Sequence, residues 1–74
     1  MASVARITEI SVMSEKSFED AIQQGISRAT QTLRGVTGAW VKEQEVQIKD
    51  NQVSGYKVNL MITFVLEDGG SANA

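Results

Sequence analysis

Few side chains in this 74-residue chain can do covalent or metal chemistry. The sequence has no Cys and no His, which removes thiolate and imidazole metal ligands and the usual nucleophile–base pairs. Asp, Glu and Lys remain as acid–base groups, but no spacing between them singles out a catalytic pair. The sequence also lacks a glycine-rich phosphate loop. We therefore expect a protein that is not an enzyme.

Trp40 is the only tryptophan in the chain. It stands near the start of a stretch in which side chains of different character alternate. An indole in this position is either a packing residue in a core or an interface, or a platform on which a planar ligand stacks. The residues alone leave both alternatives open.

Carboxylates could bind a hard cation such as calcium, above all where several copies of the chain meet. The candidates are Glu43, Glu45, Glu67 and Asp68. Alternating charges on a strand are more often a solvated face or pairs between subunits. The metal ligands, if there are any, stay unassigned.

Composition excludes several partners. Seven basic residues are scattered among nine acidic ones for a net charge of −2, so we expect no nucleic-acid partner. No apolar run approaches the ~20 residues of a membrane span, and the first residues lack the apolar core of a signal peptide. We expect a cytoplasmic protein. A core this small without disulfides favours stabilisation by oligomerisation.

One helix is expected between two strand regions. Residues 4–12 are rich in β-branched side chains and predict a first strand. Ser17 is a candidate N-cap for a helix that extends to about Arg34, with Gly35 as the residue after its end. Gly25 lies in the apolar stripe of that helix, which indicates a close approach of the sheet.

From Ala39 the pattern has a period of two. Strict alternation places Trp40, Lys42, Gln44, Val46 and Ile48 on one face of a second strand. Residues 49–52 predict a turn, and residues 53–66 a third strand whose apolar face lies under the helix. The expected fold is α+β, with the order β-α-β-β: a three-stranded antiparallel sheet, one helix packed on it and one uncovered face. We expect residues 1–68 to form a single domain and residues 69–74 a flexible tail.

The chain resembles the dodecin family over residues 6–68. The resemblance rests on a helix segment with Ala21-Ile22-Gln23, Ala29 and Thr32-Leu33-Arg34, and on a last strand with Tyr56, Val58, Leu60, Phe64 and Leu66. Further matches are Thr8-Glu9-Ile10, Ser14-Glu15 and Val41-Lys42-Glu43. The resemblance implies a hollow spherical homododecamer.

The resemblance also implies flavin binding, in which ring systems stack between tryptophans and a strand glutamine bonds the ring. The gapless match places Gly38 at the tryptophan position and Lys57 at the glutamine position, and Glu45-Val46 replaces an Arg-Gly pair. Trp40 lies two residues beyond Gly38 and points to the same face, about 6.5 Å away.

Our hypothesis is a non-catalytic shell that stores or buffers a small planar ligand, riboflavin or FMN. Trp40 would stack on the ring beside Gly38, with Lys57 and Gln44 as polar contacts. In the alternative, Trp40 fills the ligand space, and the shell is structural or binds calcium.

Overall fold

The computed structural model describes residues 2–66. Its elements are β1 (Ala5–Ser14), α1 (Phe18–Thr32), β2 (Val36–Lys49) and β3 (Gln52–Val65). The strand order is β1-β3-β2, and β3 pairs antiparallel with both neighbours. The predicted α+β fold with the order β-α-β-β is confirmed. The predicted tail 69–74 lies outside the described residues, as do Glu67 and Asp68.

The start of α1 is fixed by hydrogen bonds from side chains. The Ser17 hydroxyl accepts from the Asp20 backbone N–H at 2.9 Å, which is the N-cap predicted from the sequence. The Asp20 carboxylate does not reach back to Ser17 and instead accepts from the hydroxyl of buried Ser14 at 2.6 Å. Ser14 thereby ties the last residue of β1 to the first turn of the helix.

The helix ends at Thr32, earlier than the predicted Arg34. Leu33 has extended backbone angles, and its N–H donates to the Ala29 carbonyl at 2.9 Å. Gly35 does adopt a positive φ of 73°, but its carbonyl accepts from the Val65 N–H at 2.9 Å. Gly35 therefore leads the chain into the sheet instead of closing the helix, which corrects its expected role.

The core lies between α1 and the middle of β3. Its fully or almost fully buried side chains are Ala21, Ala29, Val58, Leu60 and Ile62. The close approach at Gly25 is confirmed, since a Cβ there would lie 2.7 Å from Val12 Cγ2 and 2.9 Å from Leu60 Cδ1. At the helix start, the Phe18 and Tyr56 rings pack edge to face at 5.2 Å.

The two edge strands differ in regularity. β1 pairs with β3 without a register shift from Ala5 to Ser14, two residues further than predicted. β2 begins at Val36 instead of Ala39, and its pairing with β3 shifts at three places. The β2–β3 turn has positive φ at Asp50 (54°) and Asn51 (65°), as in the primed turns that match strand twist.

Within residues 2–66, no helix has the length and apolar character that crossing a membrane requires.

Candidate functional site

Trp40 lies on the face of the sheet that α1 leaves uncovered, here called the helix-free face. Directly paired residues of antiparallel strands point to the same face. Trp40 pairs with Met61, whereas the neighbouring Leu60 and Ile62 are buried under α1. The indole is 48% exposed, so within one protomer it is not a core residue.

Gly38, Trp40, Met61 and Thr63 form an open platform on this face. Gly38 pairs with Thr63 and Trp40 with Met61, which confirms that Gly38 and Trp40 share a face. A Cβ on Gly38 would have no neighbour within 4 Å. The space above Gly38, called the Gly38 gap, is therefore open next to the indole. An aromatic wall beside an open gap with a methionine next to it suits a flat ring.

A β-bulge at Lys42 borders the platform. The register shifts between Val41, which pairs with Leu60, and Glu43, which pairs with Asn59. Lys42 is the extra residue. Its ammonium lies 3.3 Å from the Glu9 carboxylate, with the two side chains 50% and 40% exposed. Because Glu9 is on β1 and Lys42 on β2, this ion pair spans the central strand.

Gln44 does not share a face with Trp40, which corrects the expectation from strict alternation. The bulge adds one residue, so Gln44 pairs with Val58 and Val46 with Tyr56 on the α1 side of β3. Ile48 pairs with Val53 beyond a further shift and also points to the α1 side. Gln44 is thus separated from the indole of its own protomer by the sheet.

Lys57 lies on the helix-free face as expected, but away from Trp40. It precedes Met61 by four positions along β3, about 13 Å at the usual rise of a strand. It pairs in register with Glu45, yet the Glu45 carboxylate accepts from the Gln47 amide at 3.0 Å. Within residues 2–66 the sole ion pair is Lys42–Glu9, so Lys57 forms no salt bridge there.

Asn59 is a platform neighbour that the sequence did not single out. It pairs with Ser11 on β1 and with Glu43 on β2, two positions from Met61. Among residues 2–66 its Oδ1 is buried without a hydrogen-bond partner. Asn59 alternates with the apolar residues of β3, which accounts for its face, but nothing in the sequence indicates an unsatisfied amide.

Of the four candidate metal ligands, only Glu43 and Glu45 lie within the described residues. Among residues 2–66 no group of three or more acidic side chains could hold a metal ion. Glu43 and Glu45 follow each other on the helix-free face and are exposed. A cation site on these carboxylates would need more than one copy of the chain, as the sequence also suggested.

A second depression lies between α1 and the free edge of β1, away from the platform. Its volume is about 370 Å³. Its floor includes Ile10, Gly25 and Ala29, and Gln24 and Arg28 stand at its rim. It has an apolar floor and no cluster of titratable groups, which fits packing against another chain better than chemistry.

Comparison with known proteins connects this geometry to a family. Residues 4–67 match the Dodecin family model. The chain belongs to the dodecin family. Members of this family self-assemble, and dodecamers are known among them. No curated protein matches the sequence significantly.

Solved dodecins have the same fold. The Streptomyces coelicolor dodecin is 33% identical, with 89% of this chain and 94% of that chain covered and a TM-score of 0.83. An arginine-to-alanine mutant of the Thermus thermophilus dodecin is 36% identical, with 90% and 100% covered and a TM-score of 0.83. The calcium dodecin of Mycobacterium tuberculosis, described as having a novel calcium-binding site, is 24% identical, with 89% and 94% covered and a TM-score of 0.76. This last likeness shows the fold alone.

Proposed function

We propose that this dodecin is a non-catalytic homododecameric shell that stores or buffers a flavin, riboflavin or FMN, on the helix-free face of its sheet. The observation that carries the proposal is the half-exposed Trp40 beside the Gly38 gap. The family's tryptophan position is occupied by glycine here, and an indole stands two residues further along the same face.

The indole at this shifted position can still stack on a flavin ring. Moving it two positions shifts it by about 6.5 Å along the strand, and the missing side chain at Gly38 leaves room for the ring system. Stacking on an indole contributes about 0.5–1.5 kcal/mol beyond the burial of area. Met61 lies across from Trp40 and supplies a further polarisable contact.

A single protomer does not bring the two proposed polar contacts, Lys57 and Gln44, next to the ring. Lys57 lies about 13 Å from the platform, at the usual rise of a strand, and Gln44 points to the other face. A contact from either to the ring therefore requires a neighbouring copy. This requirement agrees with a site built between subunits.

Assembly is supported by the amount of apolar surface left open. Ile7, Met13, Trp40, Ile48 and Val53 are all about half exposed or more, although a small monomer seldom leaves so many large apolar side chains uncovered. Twelve copies are the expected number because of the family. Native mass spectrometry at micromolar protein measures that number directly, and a monomer would contradict this part of the proposal.

The test of ligand binding is a titration of the ligand-free assembly with riboflavin and with FMN, in which flavin and Trp40 emission are both followed. We expect saturable quenching of both emissions. Trp40→Ala should abolish the stacking and weaken binding at least tenfold, whereas Trp40→Phe should retain part of it. Native mass spectrometry of both variants checks that the assembly persists.

Two outcomes would contradict the flavin proposal. One is the absence of quenching by either flavin at concentrations well above micromolar. The other is binding that survives Trp40→Ala unchanged, because the ring would then lie elsewhere in the shell. In either case the structural or calcium-binding alternative takes its place.

Calcium binding is the second candidate, favoured by the calcium dodecin of the same fold and by the exposed carboxylates Glu43 and Glu45. A cation that binds only the folded assembly stabilises it by an amount that rises with the logarithm of the free cation concentration above Kd. If calcium is bound, a chelator should lower the melting temperature, and added calcium should restore it. A melting temperature that changes with neither the chelator nor added calcium would contradict calcium binding.

A further inference from the structure

We infer that the apolar face of β2 packs into the groove between α1 and β1 of a second copy, in a head-to-tail contact. This inference rests on the self-assembly in the proposed function and names the two surfaces that meet. The first surface, here called the β2 shelf, lies on the α1 side of the sheet. Its residues are Ala39, Val41, Gln44, Val46, Ile48 and Val53.

The β2 shelf is uncovered within one protomer. The helix α1 buries the middle of β3, where Val58, Leu60 and Ile62 are at most 1% exposed. The neighbouring strand β2 is exposed at every position except Val36 and Gln47. The large apolar side chains of the shelf are 39% to 62% exposed. The shelf therefore continues the core sideways, beyond the reach of its own helix.

The chemical difference between the two faces of β2 indicates that the shelf is covered in the assembly. Beyond the bulge, the helix-free face carries Glu43 and Glu45, whereas the shelf carries Val46 and Ile48. None of the described β2 residues that point to the α1 side from Ala39 to Ile48 is charged. Such segregation is typical of a strand with one buried face, and charge is depleted in the core of protein interfaces.

The end of the β2–β3 hairpin also lacks support within one protomer. The strand β1 ends at Ser14, which pairs with Tyr56, so beyond Tyr56 the sheet continues as a ribbon of two strands. A ribbon of two strands is at best marginally stable in water. Here Ile48 pairs with Val53, and the two side chains are 62% and 49% exposed. Cover from a second copy would stabilise this ribbon.

The second surface is the groove between α1 and the free edge of β1, with a volume of about 370 Å³. Ile10 and Ala29 lie in its floor, and Gln24 and Thr32 lie along its helix side. An apolar floor with a polar rim is the usual anatomy of a protein interface. Among the described residues that line the groove, Arg28 alone is charged, and the shelf presents no like charge to it.

The positions of the two surfaces in the sheet define how the copies meet. The strands β1 and β2 are the opposite edges of one sheet, and the groove and the shelf both lie on its α1 side. A neighbour placed alongside in a similar orientation brings its groove to the shelf, whereas a two-fold axis would bring like surfaces together. A head-to-tail contact closes into a ring when its rotation allows. The occupant is a second copy because the family self-assembles into closed dodecamers.

Cross-linking tests the contact directly, because the chain has no cysteine of its own. The double variant Val46→Cys with Gln24→Cys, treated with a short bismaleimide, should give covalent dimers and longer chains on a denaturing gel. A second double variant, Val46→Cys with Thr32→Cys, samples the groove about two helical turns further along. Each single variant should stay monomeric on the gel, since like surfaces do not meet.

The control for cross-linking is Glu43→Cys with Gln24→Cys. Glu43 lies on the same strand as Val46 but points to the helix-free face. This pair should give no covalent product. Products as abundant as those of the Val46 pairs would overturn the inference, because the face of β2 would then make no difference.

A charge on the shelf tests the same contact through assembly. Val46→Asp should raise at least tenfold the protein concentration at which the oligomer dissociates, measured by native mass spectrometry over a dilution series. Val4→Asp makes the same exchange at a valine that is 60% exposed and belongs to neither surface. It should leave the oligomer mass and its dissociation as in the wild type.

The outcomes separate this inference from the assembly on which it rests. A monomeric wild type would contradict the proposed assembly and this inference with it. If the wild type assembles but neither Val46 double variant cross-links, or if Val46→Cys cross-links alone, assembly stands and the head-to-tail contact is wrong. Equal dissociation of Val4→Asp and Val46→Asp would also overturn the inference, because any added surface charge would then explain it.

Discussion

The Lys42 ammonium and the Glu9 carboxylate meet at 3.3 Å across the central strand β3. The pair joins the two edge strands on the face that carries Trp40. Both side chains remain about half exposed, so water and salt screen their attraction. The pair therefore fixes the direction of Lys42 more than it stabilises the fold.

A double-mutant cycle tests this weak coupling. Lys42→Gln, Glu9→Gln and the double variant should give a coupling free energy of about 0.2–1 kcal/mol, the range of exposed pairs. The measurement is urea unfolding at one fixed protein concentration, because the stability of an oligomer depends on concentration. The coupling should vanish in 1 M salt, and a value well above 1 kcal/mol there would show that the pair is buried in the assembly.

Replacing glycine by alanine should destabilise the protein at Gly25 and leave it unchanged at Gly38. At Gly25 the new Cβ would lie 2.7 Å from Val12 Cγ2 and 2.9 Å from Leu60 Cδ1, so we expect a loss of about 1–3 kcal/mol from overpacking, which outweighs the gain of about 1 kcal/mol in helix propensity. Gly38→Ala is the matched control, since its Cβ would meet nothing within 4 Å. Equal unfolding midpoints for the two variants would contradict the tight contact between α1 and the sheet.

Removing the helix cap should destabilise the protein. Ser17→Ala deletes the acceptor for the Asp20 N–H, and the usual cost is about 1 kcal/mol. Ser14→Ala removes the hydroxyl that donates to Asp20 Oδ2 and accepts from the Lys16 N–H. We expect a loss of about 1–3 kcal/mol there, because the half-buried Asp20 carboxylate then loses the hydroxyl that donates to it, and hydrogen bonds to charged groups contribute more than neutral ones.

Ser27→Ala is the control for both cap variants. Ser27 is exposed in the middle of α1, where alanine is the better helix former. Its unfolding midpoint should equal or exceed that of the wild type. A loss comparable to that of Ser17→Ala would mean that any change in the helix, and not the cap, is responsible.

Filling the Gly38 gap should block the ring site without harming the fold. Gly38→Val adds a β-branched side chain that suits a strand, in a space with no neighbour within 4 Å. Flavin affinity, measured by quenching, should fall at least tenfold, while the oligomer mass stays the same.

Gln44→Ala provides the contrast on the other face of the same strand. Its side chain is separated from the indole of its own protomer, so we expect an affinity within twofold of the wild type. If Gln44→Ala instead weakened flavin binding as much as Gly38→Val, a neighbouring copy would be delivering Gln44 to the ring.

Much of the fold could be predicted from local patterns. Ser17 as the N-cap, the stripe through Ala21 and Ala29, and the apolar face of β3 all follow from spacing, because helix and strand periodicities differ. Gly25 was correctly assigned to a close approach. The helix end was harder to place, since Arg34 suits a last turn but the chain needs Gly35 to enter the sheet.

The candidate site was predictable only in part. Gly38 and Trp40 were placed on one face because no irregularity separates them. The prediction for Gln44 was wrong because the bulge at Lys42 reverses the face to which every later residue of β2 points. A period-two pattern contains no signal for an added residue. The bulge is a property of how β2 pairs with β3. The residue pattern of β2 alone therefore does not reveal it.

The central position of β3 has a consequence for how this chain is made. Of the three described strands, β1 is synthesised first and pairs only with β3, the third in chain order, so that Ala5 pairs with Val65. Until residues 52–65 have left the ribosome, β1 has no strand to pair with and α1 has no sheet to pack on. The apolar side chains of β1 stay exposed to solvent during that time. The sheet of this protein therefore forms only after β3 has been synthesised.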